Sequence, residues 1–297
     1  MKITAHCFVY NVKIEPLPIQ FKFHEYDLSI TYSKHEDKEG LMLEVEKSIT
    51  PDEISTDGEI QDEQGLFIEK RMRPYKEVLM EGAQLIEGFL AITYREAPPK
   101  FDTDRVVVNV IAENAEETEL IKSGKVTGGF GNIMQPVRFP VYTWSQKIPP
   151  VIDKALDHIP AFSFLAQAVR SQERNDQEVA FFLYFRIVDG YFSDGVSEVE
   201  GALLKKSTEL SKYIKYTTEV IEATESILSE LGLKSKSRIN FEGLISDIVL
   251  IRHKLTHFSE SNAHRHHKTG IIYDLNILNF YLRKACVLVL WDKLGMK

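Results

Sequence analysis

The sequence predicts an α+β protein in two parts, a β-rich N-terminal domain over residues 1–148 and an all-helical bundle over 149–297. Three observations carry this. Apolar residues alternate with period two through the first 45 residues. Beyond residue 150 they recur at steps of three and four. Between the two regimes Pro136, Pro140, Pro149 and Pro150 crowd together, the punctuation expected where one domain gives way to another.

Composition sets the outer limits. A chain of 297 residues, 43% hydrophobic and 27% charged, has room for two globular domains of ordinary size. Its two cysteines, Cys7 and Cys286, cannot form a disulfide framework, so a reducing cytoplasm is the expected compartment. The first seven residues contain no continuous apolar run, and no signal peptide is expected. The late apolar run 285–291 is far short of the ~20 residues of a membrane span. A net charge of −8 argues against a general nucleic-acid coat, but the charge is unevenly placed. Residues 36–69 hold twelve Asp/Glu against two Lys, whereas 234–268 hold seven Lys/Arg against three Asp/Glu, with five histidines. Local sign decides where a polyanion docks.

Taken in order, Phe8, Tyr10, Val12 and Ile14 alternate with other residues, as do Phe21 and Phe23, Leu28 to Tyr32, and Leu41 to Val45. Each run predicts a half-buried strand. The acidic stretch 48–64, with Pro51 and Gly58, predicts a solvated loop. Pro74 is expected to open a helix, with Val78, Leu79, Leu85, Ile86, Phe89 and Leu90 toward the sheet. The β-branched run 105–111 predicts a buried strand. Residues 124–132 contain Gly-Lys and later glycines but lack the spacing of a phosphate loop, so they are read as a turn and no cofactor is expected.

The second half reads as helices. Residues 151–171 predict one helix, bent at Pro160. Residues 176–192 are apolar nearly all round, which predicts the central helix of a bundle. Asp189 within it demands a partner, with Arg186 and Arg252 the candidates. A long amphipathic helix is expected next, with Leu203, Leu210, Ile214, Ile221, Leu228 and Leu231 on one side and Gly232 as its stop. A final helix is expected over 272–294.

Between those last two lies the stretch with chemical content. Leu244, Ile248, Ile251, Leu255 and Phe258 form one core-facing stripe, and onto its end are set Arg252, His253 and His257. His253 and His257 are one turn apart; Arg252 and His257 are about 140° apart on an ideal helix and meet only if the last turn loosens. Arg252-x4-His257, closing a core-striped helix and followed by a polar loop and an apolar terminal helix, resembles the Arg-x(4–6)-His signature of the HEPN superfamily, in its Apea-like and MauJ-like branches. In that family the residue after the arginine is polar, usually Asn; here it is His253.

The resemblance covers at most the C-terminal half. It implies a metal-independent endoribonuclease, with Arg252 and His257 at the cleaved phosphate, His253 holding the geometry, and two copies of the motif meeting across a homodimer. The residue types suit that chemistry. RNA cleavage through the 2′-hydroxyl needs a base, a cation beside the phosphorus and an acid for the leaving oxygen. Histidine serves either proton role at neutral pH, and arginine's planar fork matches phosphate oxygens. DNA lacks the 2′-hydroxyl and is not an expected substrate.

Lys254, Arg265 and Lys268 are the accompanying candidates for RNA phosphates. The run His264-Arg265-His266-His267 has metal-binding residue types without convergent spacing, so no metal is expected there, and its plainer reading is a polar loop. Three alternatives stay open: Arg252 and His257 as structural residues of the bundle, a non-catalytic module that binds RNA, a nucleotide or a protein, and an accessory protein of a metabolic operon, the last suggested by the MauJ-like branch alone.

Overall fold

Alternation in the first strands becomes a five-stranded antiparallel sheet, and the chain has the predicted α+β class. In the computed structural model the described residues are 2–10, 13–35, 38–48, 66–93, 98–103, 106–116, 141–143, 151–193, 198–256 and 269–296. The expected acidic loop and the 124–132 turn lie largely or wholly outside them. The chain divides into two compact units, Met1–Leu90 with Pro99–Ile159, and Ala91–Pro98 with Pro160–Lys297.

The sheet of the first unit contains β1 (Lys2–Tyr10), β3 (Ile19–Phe23), β4 (Tyr26–His35), β5 (Lys38–Ser48) and β6 (Val107–Ile111), in the order β3-β4-β5-β1-β6. A short β2 (Lys13–Glu15) pairs in parallel with β7 (Val141–Thr143). Register puts Ala5 beside Val45 and Val45 beside Leu28, then Cys7 beside Leu43 and Leu43 beside Ile30. All of these are buried, so one face of the sheet is a continuous apolar layer. Helix α1 (Leu66–Thr93) lies against it: a Cβ on Gly82 would come within 2.4 Å of the Leu28 side chain, so glycine there admits the helix to β4. Glu87, buried on the same helix, accepts from the Phe101 N–H at 2.7 Å, and the Asp102 N–H donates to the Phe8 carbonyl.

Two expectations change here. Pro74 lies inside α1, which starts eight residues earlier. A proline removes one hydrogen bond and crowds one carbonyl, a local cost that the turns on either side of it outweigh. Of the expected 105–111 strand, β6 is the described part; among the described residues it lies at the sheet's edge beside β1 and ends on an exposed Ile111, where burial was expected. Its β-branched residues favour an extended backbone with or without full burial.

In the helical part, α2 (Ile152–Leu156) and α3 (Ile159–Glu173) replace the single helix expected over 151–171. The break falls at Asp157-His158, and Pro160 sits in the first turn of α3, where a missing N–H costs nothing. Helix α4 (Gln177–Phe192) begins where Asp176 accepts from the Val179 N–H. Phe181 and Phe185 are buried and Phe182 half-buried, as its all-round apolar sequence predicts. The expected long helix is three pieces, α5 (Val199–Lys205), α6 (Ser207–Leu210) and α7 (Thr218–Glu230). Thr217 restarts the chain as an N-cap, accepting from the Val220 N–H, and this competes with continuing the helix. The apolar side survives these breaks: Leu203, Leu210, Ile214, Leu228 and Leu231 are buried, and Gly232, at φ 75°, closes α7 as predicted.

Helix α8 (Phe241–Thr256) and helix α9 (Thr269–Leu294) complete the unit. Leu244, Ile248, Ile251 and Leu255 are buried, as their spacing predicts, while Phe258 lies outside the described residues. Helix α9 packs on α4 and α7, and α8 on α4, α5, α6 and α7. Between α9 and the start of α4, Asn279 Nδ2 donates to the carbonyl of Gln177 at 2.8 Å and to its Oε1 at 3.0 Å. Among the described residues no helix is long and apolar enough to cross a membrane.

Glu44 on β5 gives a pH test. Burial, and secondly the neighbouring Glu46, raises the Glu44 carboxyl above its ordinary value. A raised acid binds its proton more tightly folded than unfolded, so its ionisation lowers stability once pH exceeds the ordinary carboxylate range. Glu44→Gln is therefore expected to raise Tm at about pH 7. The gain should shrink toward zero near pH 4, as thermal melts across that range will show.

Candidate functional site

The foot of α8 is fixed before its chemical end is reached. Asn240 Oδ1 accepts from the Gly243 N–H at 2.8 Å, capping the first turn. Gly243 is required there, because a Cβ would stand 2.2 Å from the Lys236 carbonyl oxygen. One turn on, Asp247 is 1% exposed, and its Oδ2 accepts from Ser235 Oγ at 2.6 Å and from the N–H groups of Lys236 and Ser237 at 2.7 Å each. Tyr216 Oη closes the same corner by donating to the Ser237 carbonyl. A buried carboxylate is tolerable when donors surround it, and here they all come from the segment leading into the helix.

From that anchor α8 carries its stripe to Arg252 and His253. The Arg252 guanidinium carbon lies 5.7 Å from the centroid of the Phe185 ring on α4, and the side chain is half-exposed. This is a cation–π arrangement, with the planar guanidinium over an aromatic ring. His253, in the last turn, is exposed. Both residues line an open groove of about 540 Å³ between α8 and the start of α5. Val249, Leu250 and Leu204 form its apolar part, and Glu198 and Glu200 face the two basic residues from the α5 side. The groove is thus of mixed charge, and the basic pair offsets the negative end of the α8 dipole.

Of the other predicted residues, Lys254 is half-exposed and about 200° round the helix from Arg252, outside the groove lining. The described part of α8 ends at Thr256, so His257, Arg265 and Lys268 lie outside the described residues. The structure therefore brings Arg252 and His253 to one groove and says nothing of the Arg252–His257 pair.

Asp189 departs from expectation. Its carboxylate accepts from Ser193 Oγ one turn later, while Arg186 lies over the Phe164 ring at 5.4 Å and Arg252 over Phe185. The half-buried carboxylate is satisfied locally, without an arginine from another helix.

Cys7 and Cys286 are both fully buried, and burial pushes each thiol far above its ordinary value, so neither is an accessible nucleophile. Among the described residues no group of three His, Cys, Asp or Glu could hold a metal ion. Sequence reasoning missed Asp247, Glu198 and Glu200. For Asp247 there was a signal, an acid set among the buried positions Leu244, Ile248 and Ile251 with Ser235-Lys236-Ser237 upstream. For the two glutamates there was none, because α5 was hidden inside an expected longer helix.

No family model matches the chain, and neither a curated protein nor a solved structure matches it.

Removing the Asp247 carboxylate takes an acceptor from the N–H groups of Lys236 and Ser237 and from the Ser235 hydroxyl. Asp247→Ala should lower the unfolding free energy by about 3 kcal/mol. Gly243→Ala should cost about 2 kcal/mol, because the obstructing atom is backbone. Urea denaturation of the two variants checks both.

Proposed function

We propose that the protein is a metal-independent endoribonuclease of HEPN type, acting as a homodimer in the cytoplasm as a defence or stress effector gated by its N-terminal domain. One observation supports this best. A half-exposed Arg252 and an exposed His253 share an open groove at the end of α8, one turn before His257 in sequence. In this reading His257 takes the proton from the ribose 2′-hydroxyl. Arg252 sets its fork against the phosphate oxygens, where charge grows as phosphorus becomes five-coordinate. His253 holds the site's geometry, and Lys254, Arg265 and Lys268 meet flanking phosphates. The chemistry requires no cofactor and no metal from the protein.

A second reading is favoured by Glu198 and Glu200. Two carboxylates on the groove wall repel a polyanion, which suits a module that binds a ligand carrying both charges, or a protein, better than one that cleaves RNA.

Incubating the purified protein with total RNA in EDTA separates the two. The nuclease reading expects cleavage leaving 2′,3′-cyclic phosphate ends, with DNA untouched. His257→Ala and Arg252→Ala should each reduce it by at least about 10²-fold without adding to one another, since both act on one transition state. Melting temperatures must accompany the rates. Arg252→Ala also removes the contact over Phe185, worth about 0.5–2 kcal/mol, so the variant should still fold. Absence of cleavage with every RNA tried, alongside measurable binding, gives the second reading.

A further inference from the structure

Glu198 and Glu200 face Arg252 and His253 across the groove between α5 and α8, and both carboxylates are exposed. Two acids beside a phosphate site weaken its hold on every RNA alike. A nuclease gains from them only if they recognise something that one RNA offers and another does not. Glu198 stands at the N-cap position of α5, yet its side chain makes no cap hydrogen bond, so the helix start does not use it.

Gly201 lines the same wall. Glycine inside a helix is less stable than alanine, and packing does not demand it here. Among the described residues, the neighbour that a Cβ would meet is Glu198 Oε2, at an ordinary contact distance of 3.9 Å. What the missing side chain does leave is a flat stretch of wall beside the two carboxylates. A planar ring can lie against such a surface, with the apolar Leu204 and Val249 bordering the same space. The groove's volume of about 540 Å³ falls in the range of roughly 300–1,000 Å³ that takes a small-molecule ligand, and a nucleoside is of that size.

The bases differ in what they show a carboxylate, which can only accept. Unstacked bases of single-stranded RNA are read on their Watson–Crick edges. Guanine presents two adjacent donors there, N1–H and N2–H2, matched to the two oxygens of one carboxylate. Adenine and cytosine each set a ring-nitrogen acceptor beside their amino group, and uracil flanks its one N–H with two carbonyls. Three bases thus bring a lone pair against the acid, and one does not.

We infer that the groove selects guanosine, with a carboxylate of the Glu198–Glu200 wall on the base's N1–H and N2–H2 edge and Arg252 on the adjoining phosphate. The two glutamates are specificity-determining residues in this arrangement, and Gly201 makes room for the ring. Placing the guanosine in an RNA strand rests on the nuclease reading; selection of the base is separate from cleavage.

Short uridine strands with one central guanosine, adenosine, cytidine or uridine test this. The strands are 2′-O-methylated so that they bind without being cut, and affinity is read by fluorescence anisotropy in EDTA. The guanosine strand should bind at least about 10-fold tighter than the other three. Glu198→Gln or Glu200→Gln, whichever acid takes the base, should erase that preference while tightening the all-uridine strand, because a negative charge is lost. Gly201→Ala should weaken the guanosine strand several-fold with Tm unchanged or raised, a combination that damage to the fold cannot give. Equal affinity for all four strands overturns the inference, as does a guanosine preference that survives both glutamine variants. RNA cleaved at every base without preference leaves the nuclease reading standing while this one falls. A guanosine preference in a protein that never cleaves does the reverse, and absence of binding to every strand overturns both. Guanosine 5′-monophosphate that competes at the strand's own dissociation constant would assign the groove to a free nucleotide and overturn its placement on RNA.

Discussion

Three hydrogen bonds to one oxygen hold the candidate site in place. Asp247 Oδ2 gathers Ser235, Lys236 and Ser237, and those residues belong to the irregular chain that leads into α8. Without that anchor the helix would be positioned only by its apolar stripe, and apolar packing tolerates small rotations and shifts. With it, the azimuth of α8 is set five residues before Arg252. The guanidinium then falls over Phe185 and the imidazole of His253 toward α5. A charged group in the bundle's interior thus has its effect on a groove more than one turn away.

How much of this was legible in the sequence depends on what each inference required. Strands and helix faces were legible because burial acts on every residue of an element and leaves a period, as in Ala5, Cys7 and their partners or Leu244 to Leu255. Element ends were less so. The expected helix over Leu203 to Leu231 kept its apolar side yet broke twice, because a stripe reports which residues face the core and not whether the backbone between them is continuous. Thr217, a cap inside that stripe, was the clue passed over. Pro74 misled in the opposite sense, being taken as a start where it is an interior residue of α1.

The site divides the same way. Arg252 and His253 were singled out because they close a core-striped helix in a pattern that resembles a known Arg-x(4–6)-His signature. Their opposing wall was not, because Glu198 and Glu200 arrive from a different helix and proximity across helices leaves no local pattern. Asp189 shows the reverse error. An arginine, Arg186 one turn back or Arg252 on another helix, was sought for a carboxylate that a serine four residues later satisfies. Local partners compete well for polar groups on helices, since little further chain entropy is lost in meeting them.

The pairing of Asn279 with Gln177 has a consequence for how the bundle can move. Long apolar helices in contact have several staggers of similar energy, each a turn of about 5.4 Å from the next, and some proteins switch between them. Asn279 gives both its N–H groups to a single residue at the start of α4. Sliding α9 by one turn would leave a buried carboxamide facing side chains that cannot answer it, at about 1–3 kcal/mol for each unmet group. The two helices are keyed to one notch. A signal crossing this bundle has to travel by another route than a ratchet of α9 along α4.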